Sequence, residues 1–403
     1  MAGTPLEKVP VLRRVLILVE NLPSPFDRRV WQEATALQAN GYQVSIICPT
    51  GKSCESHFEA IDGIHIYRYD LPTEGEGAAG YLLEYGAALF HTFRLAFKVR
   101  RERGFGIVHA CNPPDLLFLV GAWFKRFHGA RFVFDHHDIN PELYEAKFGR
   151  RDLLWKLMVW LERQTFRVAD VSIATNESYR RIALERGGMD PDRVFVVRSG
   201  PMLERLKILP PTPELKRGRR YLVGYVGVMG KQEGIEYLLH AARHIVREMR
   251  RDDVHFGLVG GGTSLDELRR LAESLGVADH VTFTGRVPDH ELLAMLNTAD
   301  VCVNPDVANE MNDKSTMNKI MEYMALGKPI VQFDLTEGRF SAQDASLYAA
   351  KNDAVDLARK IVELLDDPAR RQQMGQYGRE RVEDVLEWKY EVPKLIAAYA
   401  ALG

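Results

Sequence analysis

The chain reads as an α/β protein with two doubly wound, Rossmann-like domains, and three observations predict this. Strand and helix signals alternate along its whole length, the pattern of parallel sheets covered by helices. Its 403 residues are too many for one ordinary core. The alternation stops at residues 203–220 and then restarts from a new strand. Ligands of such sheets lie at the carboxyl ends of the strands, where the strand order switches. Two domains facing across a cleft would suit a donor and an acceptor.

The apolar β-branched run Val15–Val19 is the first expected strand, followed by a helix over Arg28–Ala39 that stops before Gly41. Val44–Cys48, Ile64–Tyr69, Ile107–Ala110, Phe132–Phe134, Val171–Ala174 and Val194–Val197 continue the strands. Helices are expected over Tyr81–Arg103, Asp115–Phe127, Asp152–Val168 and Glu177–Arg186. Pro210, Pro211 and Pro213, with Lys216, Arg217, Arg219 and Arg220, mark residues 203–220 as a linker. The second series has strands at Leu222–Val226, Val254–Val259, Val281–Thr284, Val301–Asn304 and Ile330–Phe333. Its helices cover Ile235–Met249, Ser264–Leu275, Glu291–Leu296, Ala354–Leu365 and Pro368–Val382, and a terminal helical segment covers Tyr390–Leu402. The predicted domains are 1–202 and 221–386, with 387–403 as a final helix.

Composition narrows the function classes. With 46% hydrophobic and 27% charged residues the chain is an ordinary globular protein. A net charge of -2 gives no field for nucleic acid. Cys48, Cys54, Cys111 and Cys302 are too few and too irregular for a disulfide framework or a zinc site, and they fit a reducing compartment. Arg13 and Arg14 interrupt any apolar signal core in Met1–Arg14, and there is no run of eighteen apolar residues. The expected location is cytoplasmic, with contact at the inner face of the membrane left open.

The densest motif runs from Asn312 to Asp334: a loop, a helix, a Gly turn and a buried strand. Ser315 is the expected helix cap, Gly327 the left-handed stop, and Pro329 blocks continuation. Lys319 and Glu322 are three apart on one helical face. A helix start suits a phosphate, Lys319 adds charge, and Glu322 can accept two sugar hydroxyls. A weak surface pair on an ordinary helix is the plainer reading of the same residues.

Gly224, Gly227, Gly230 and Gly234 surround Lys231 after the first strand of the second domain. Their amides and Lys231 could cradle a pyrophosphate, or the glycines could serve a tight turn only. Gly260-Gly261-Gly262 after the next strand carries the same two readings and is not a dinucleotide fingerprint. In the first domain, Asp135-His136-His137-Asp138 ends a strand. Neighbours on a strand point to opposite faces, so these residues do not jointly ligate a metal. One imidazole or carboxylate, His137 or Asp138, is the candidate acceptor binder or proton acceptor. Arg28 and Arg29 can contact an anionic acceptor or pair with Asp27 and Glu33. Two helices combine aromatic and basic residues: Phe90, Phe93 and Phe97 with Arg94, Lys98, Arg100, Arg101 and Arg103, and Trp155, Trp160 and Phe166 with Arg150, Arg151, Lys156, Arg163 and Arg167. They suit anionic lipid, or simply a core stripe with a charged outer face.

The order of motifs resembles the GT-B glycosyltransferases of the retaining family 4. The resemblance rests on M-E-Y-M-A-L-G-K-P-I-V, V-G-G-G-T-S-L-D-E-L, V-T-F-T-G-R-V-P, A-D-V-C-V-N-P and D-R-R-V-W-Q-E-A-T-A-L-Q-A-N-G-Y-Q-V. It implies two facing Rossmann-like domains and a terminal helix returning to the first. It implies that Glu322 binds the ribose hydroxyls, that Arg286 and Val287 read the base, and that Lys319 contacts the diphosphate with Ser315 and Asn318 at the helix start. His137 or Asp138 falls where the family contacts acceptor or donor.

The chain departs from the family pattern. Lys314 stands eight positions before Glu322, where a glutamate is usual, and Val228 and Glu233 replace two phosphate-binding cations. Such variants resemble a branch acting in bacterial surface-polysaccharide assembly. The expected reaction is metal-free retaining transfer from a nucleotide-diphosphate sugar, a UDP-sugar ahead of a GDP-sugar, with no cofactor. The expected acceptor is a glycan or polyprenyl-linked glycan. The catalytic candidates are His137, Asp138 and Lys319. Rivals are an epimerase or hydrolase on the same fold, and a non-catalytic sugar-nucleotide binder.

Overall fold

The structure is a computed structural model. It describes residues 10–71 and 77–403, so residues 1–9 of the expectation placed on Met1–Arg14 lie outside the described residues. The chain forms two compact units, residues 1–198 with 391–403, and residues 199–390.

The first unit holds β1 (Arg14–Leu18), β2 (Gln43–Pro49), β3 (Phe58–Ile61), β4 (Ile64–Tyr69), β5 (Ile107–Cys111), β6 (Arg131–His136), β7 (Val171–Ala174) and β8 (Val194–Val196). Their order is β3-β4-β2-β1-β5-β6-β7-β8, parallel except for the edge strand β3. Its helices are α1 (Arg28–Ala39), α2 (Gly77–Glu102), α3 (Phe118–His128), α4 (Asn140–Phe148), α5 (Leu153–Val168) and α6 (Glu177–Glu185). Helix α1 starts where Asp27 accepts a hydrogen bond from the Val30 amide. Strand β3 was not expected, although a signal for it exists. Asp62 and Gly63 both adopt positive φ, 49° and 82°, and turn β3 back onto β4, the Asp-Gly chemistry of a two-residue hairpin.

The second unit holds β9 (Tyr221–Val226), β10 (Val254–Val259), β11 (Val281–Gly285), β12 (Val301–Asn304), β13 (Ile330–Phe333) and β14 (Ser346–Ala349), in the order β11-β10-β9-β12-β13-β14. Around it lie α7 (Ile235–Arg243), α8 (Leu265–Ser274), α9 (Asp289–Thr298), α10 (Glu310–Lys314), α11 (Asn318–Ala325), α12 (Thr336–Ala342), α13 (Ala354–Asp366) and α14 (Pro368–Arg381). Strand β9 is buried on both faces. Val223 and Tyr225 pack in one apolar cluster with Leu238 and Ile361, while Leu222 and Val226 pack in another with Leu296 and Met321. Two-sided burial is why parallel strands read as continuous apolar runs.

Residues 203–220, expected as a linker, lie along the second unit. Leu206 is buried in its core, the Leu209 and Thr212 amides donate to Asn297 and Thr298, and Lys216 pairs with Asp300 at 2.7 Å. The stretch is thus tied to the fold at these points, while Glu204, Lys207, Glu214, Arg217 and Arg220 are exposed. Helix α15 (Trp388–Ala400) ends the chain. Its body belongs to the first unit, where Tyr399 meets Tyr42 edge-on at 5.2 Å and Glu391 accepts from the Arg198 amide at 2.9 Å.

Candidate functional site

In the second sheet the strand order switches between β9 and β12, so the loops after those strands flank the expected ligand position. Three residues meet there. Lys319 of α11 places its ammonium 2.6 Å from Glu233 of the β9 loop and 2.9 Å from Asp306 of the β12 loop. It also lies 5.0 Å from the centre of the Tyr225 ring. Burial raises the Asp306 carboxyl to about 7, with Lys319 pulling it down and Glu233 pushing it up. Burial opposes the Lys319 charge, but Asp306, Tyr225 and Glu233 outweigh it and hold the ammonium well above its ordinary range. The sequence singled out Lys319 and noted Glu233 as a departure, but it missed Asp306. Its signal was a carboxylate just past a strand end at the switch point.

Ser315 does not cap α11. It follows α10, and its hydroxyl donates to the Met311 carbonyl at 2.8 Å. The helix instead starts at Asn318 with no side-chain cap. Met317, at the cap position, has no oxygen in its side chain to offer the first amides, and amides at a helix start can accept a phosphate. Asn318 is exposed at that start. Gly327 does stop the helix with φ of 66°.

Glu322 meets a cation of its own. Its carboxylate pairs with Arg205 at 2.5 Å, and Arg205 also reaches Asp289 at 3.0 Å. Arg205 was missed because it sits in the stretch taken as linker. Arg286 and Val287 follow β11, Arg286 exposed and Val287 packed against the apolar cluster beneath α9 and α11. Lys314 pairs with Glu310 at 2.6 Å on α10.

The glycines separate into two kinds. A Cβ on Gly260, whose φ is 135°, would lie 1.8 Å from the Gly227 carbonyl, and one on Gly262 would lie 2.5 Å from the Met229 carbonyl. The β9 and β10 loops are zipped by Met229 N–H to Gly261 at 3.1 Å and Ser264 N–H to Met229 at 2.9 Å. These glycines answer to backbone packing. At Gly230 and Gly261 a Cβ would meet only ordinary contacts, 3.7 Å and 3.8 Å away. The protein's own atoms do not demand glycine there, which leaves room for a ligand. Lys231, exposed beside Gly230, is among the described residues without an ion pair or side-chain hydrogen bond.

The first unit gathers a second polar cluster at the carboxyl ends of β5 and β6. Arg29 of α1 is buried, and its guanidinium bonds Asp135 (2.8 and 3.2 Å), pairs with Glu33 (3.0 Å) and donates to the Val197 carbonyl (2.9 Å). Of its two expected readings, contact with an anionic acceptor or a pair with Glu33, the structure shows the Glu33 pair, buried rather than at the surface, with the guanidinium turned into the protein. Arg28, one residue earlier, is exposed. Burial would raise the Asp135 carboxyl, but Arg29 and His137 outweigh it and hold it well below the usual carboxylate range. Burial drives Glu33 well above that range against the pull of Arg29.

The imidazole of His137 contacts Asp135 and lies 3.0 Å from Arg29 Nε, while His136 faces the other way, 3.5 Å from Glu162. Strand alternation explains the split. Glu33, Cys111, Asp135 and His137 hold potential ligand atoms within 4.8 Å of one another. A metal ion there would stand against the guanidinium of Arg29, so the residues present fit a cation of the protein's own rather than a metal. Buried Asn112 fixes the loop beyond: its Oδ1 accepts from the His137 and Asp138 amides (2.7 and 3.1 Å), and its Nδ2 donates to Asp115 and the Asp138 carbonyl. The side chain of Asp138 is half-buried, and burial raises its carboxyl. Behind Asp135, buried His109 lies 3.4 Å away and bonds the Tyr399 hydroxyl at 2.7 Å. Burial keeps His109 neutral. Nothing in the amino-acid order signals this contact, because its partners are far apart in the chain.

Comparisons with known proteins bear on both units. The family described as Glycosyl transferase 4-like domain matches residues 27–200, and that described as Glycosyl transferases group 1 matches residues 220–367. The alpha-maltose-1-phosphate synthase of Mycolicibacterium smegmatis is 26% identical over 70% of this chain and 76% of its own length. Among solved structures, sucrose-phosphate synthase from Thermosynechococcus elongatus superposes with a TM-score of 0.79 at 20% identity, covering 96% of this chain and 98% of that one. Anabaena HepE in complex with UDP-glucose does so with 0.70 at 15%, covering 95% and 98%. At these identities the structures show the fold alone.

Proposed function

The chain belongs to the group 1, family 4 glycosyl transferases of the GT-B fold and is a glycosyltransferase; from that premise we propose that it moves a sugar, with retention, from a nucleotide-diphosphate donor held by the second unit. The observation that carries this is the switch point of the second sheet. There an uncapped start of α11, the Lys319 ammonium and the two loop positions Gly230 and Gly261 come together. Membership of a transferase family favours this reading over the epimerase, hydrolase and non-catalytic rivals.

In the proposed reaction the diphosphate lies against the α11 start and between Lys319 and Lys231. Glu322 accepts the ribose hydroxyls once its pairing with Arg205 yields or is shared, and Arg286 and Val287 meet the base. As the glycosidic bond breaks, charge grows on the departing diphosphate, and fixed amides and cations there lower the barrier without reorganising. No metal is needed for that role. Two carboxylates already neutralise Lys319. An arriving diphosphate favours a proton on Asp306, which frees the ammonium for the phosphate. No carboxylate is assigned as a covalent nucleophile, so attack proceeds on the face the leaving group departs from, assisted by the donor phosphate. Asp138 and His137 serve the acceptor, with Arg28 at the edge. A UDP-sugar is the preferred donor, and the HepE complex with UDP-glucose supports it. The acceptor class is a glycan or polyprenyl-linked glycan of surface polysaccharide biosynthesis.

A thermal-shift screen of UDP, GDP, ADP and their sugars tests the donor assignment. One nucleotide should stabilise the wild type, and Glu322→Ala should lose at least about tenfold in affinity, the worth of a charged hydrogen bond. Equal shifts in both proteins would remove Glu322 from the site.

A further inference from the structure

The outer surface of α2, α3 and α5 carries large apolar side chains that the fold leaves uncovered. On α3, Trp123 is 43% and Phe127 60% exposed; on α5, Leu153 is 82% and Trp160 52% exposed. Phe90 and Phe97 of α2, Leu119 of α3 and Leu157 of α5 are exposed as well. The three helices are neighbours, since α3 packs against both α2 and α5. Phe93 and Phe97 meet the Trp123 ring at 6.4 Å, and Trp123 meets Phe127 at 4.5 Å, so the aromatic side chains form one cluster across two helices.

On α5 the exposed side chains are not what holds the helix down. In α5, Val159, Glu162, Thr165 and Phe166 face inward, Thr165 bonds the Asp115 carbonyl at 3.2 Å, and Glu162 pairs with Arg186 at 2.5 Å. The helix is satisfied on its inner face and still presents Leu153, Leu157 and Trp160 outward. Large uncovered apolar patches of this kind mark a binding surface.

The charges around the patch name the occupant. Arg94 and Arg101 on α2, Arg126 on α3, and Lys156, Arg163 and Arg167 on α5 are exposed on the same helices. Helix α3 contains no acidic residue, and the one acidic residue of α5, Glu162, is buried. The chain as a whole carries -2, so this basic face is local and not a property of the composition. Trp and Phe with Lys and Arg suit the headgroup layer: the rings enter the acyl boundary and the cations stay with anionic headgroups. A protein partner would be expected to bring acidic side chains to such a face, but exposed rings and cations spread over three helices favour an extended anionic surface. We propose that this face docks on an anionic lipid bilayer. The proposal stands apart from the donor assignment, because binding to lipid is read without turnover.

The test is sedimentation of the full chain with vesicles of phosphatidylcholine and phosphatidylglycerol in a 3:1 ratio. At low salt the bound fraction should exceed that on pure phosphatidylcholine by at least about tenfold and fall steeply at high salt. The variant Trp123→Ala/Phe127→Ala/Trp160→Ala should lose at least about tenfold, and Lys156→Glu/Arg163→Glu/Arg167→Glu a comparable amount, with unchanged circular dichroism since the altered side chains are exposed. Fluorescence of the unmodified protein supplies a readout that needs no variant: brominated lipid should quench it. Absence of binding and quenching on anionic vesicles at low salt overturns the proposal. So does concentration-dependent dimerisation that the aromatic variant abolishes while lipid leaves the protein unbound, since the face would then be a surface for a second copy.

Discussion

At the scale of single residues, Lys319 shows how a structure changes the meaning of a substitution. From the sequence, Lys319→Ala tests phosphate binding alone. In the fold the ammonium neutralises buried Asp306 and Glu233, and removing one member of a buried pair leaves charge uncompensated. Lys319→Ala should therefore cost about 3–5 kcal/mol of stability, measured by urea unfolding, and Lys319→Ala/Asp306→Asn should recover part of it. Loss of activity in the single variant is then no proof of catalysis. Asp306 gives the cleaner probe. Its carboxyl is neutral below about 7 and anionic above it. A diphosphate should bind less tightly as pH rises through 7, by up to about tenfold between pH 6 and 8, and Asp306→Asn should flatten that dependence in calorimetric titrations. The same raised value means that Asp306 supports the fold fully below the ordinary carboxylate range and loses that support as pH rises through 7.

At the scale of elements, the loops after β9 and β10 behave as one piece. Gly260 touches the Gly227 backbone, and Met229 exchanges hydrogen bonds with Gly261 and Ser264. Gly260→Ala has nowhere to put its methyl group, because the nearest atom is backbone and φ is 135°. It should destabilise the second unit by more than about 1–2 kcal/mol and abolish nucleotide binding, while Gly230→Ala should leave the melting temperature unchanged and weaken binding only. Calorimetry and titration on the two variants separate the packing glycines from those that leave space for a ligand. Sequence periodicity found most elements, because parallel strands buried on two faces are apolar throughout. It missed β3, β14, α4 and the short helices α10 and α12. The first is a short edge strand whose Asp62-Gly63 turn was overlooked, and β14 reads Ser346–Ala349 with only partly apolar character. Helix α4 carries almost no apolar periodicity, since Glu142 is buried to meet Arg186.

At the scale of the molecule, the last residues of the chain belong to its first unit. Tyr399 lies over Tyr42 and bonds His109, which in turn backs Asp135 and through it His137. Deleting residues 391–403 should therefore loosen the first unit and spare the second. Hydrogen exchange should show lost protection in β1 and β5 with the amides of β9 and β12 unchanged; equal loss in both units would refute the assignment. Much of the fold was legible in the amino-acid order: two α/β units, with the strand end that carries His137 and Asp138 and the helix that carries Lys319 and Glu322. These are local facts, carried by periodicity, turn chemistry and motif spacing. Only the tertiary structure decided which charges meet. It set Asp306 and Glu233 on Lys319, Arg205 on Glu322, and Arg29 among Glu33, Asp135 and His137, pairs separated by up to 117 positions. A residue's type and neighbours in sequence fix what it can do, but burial and partner set its charge, and those depend on where the rest of the chain returns.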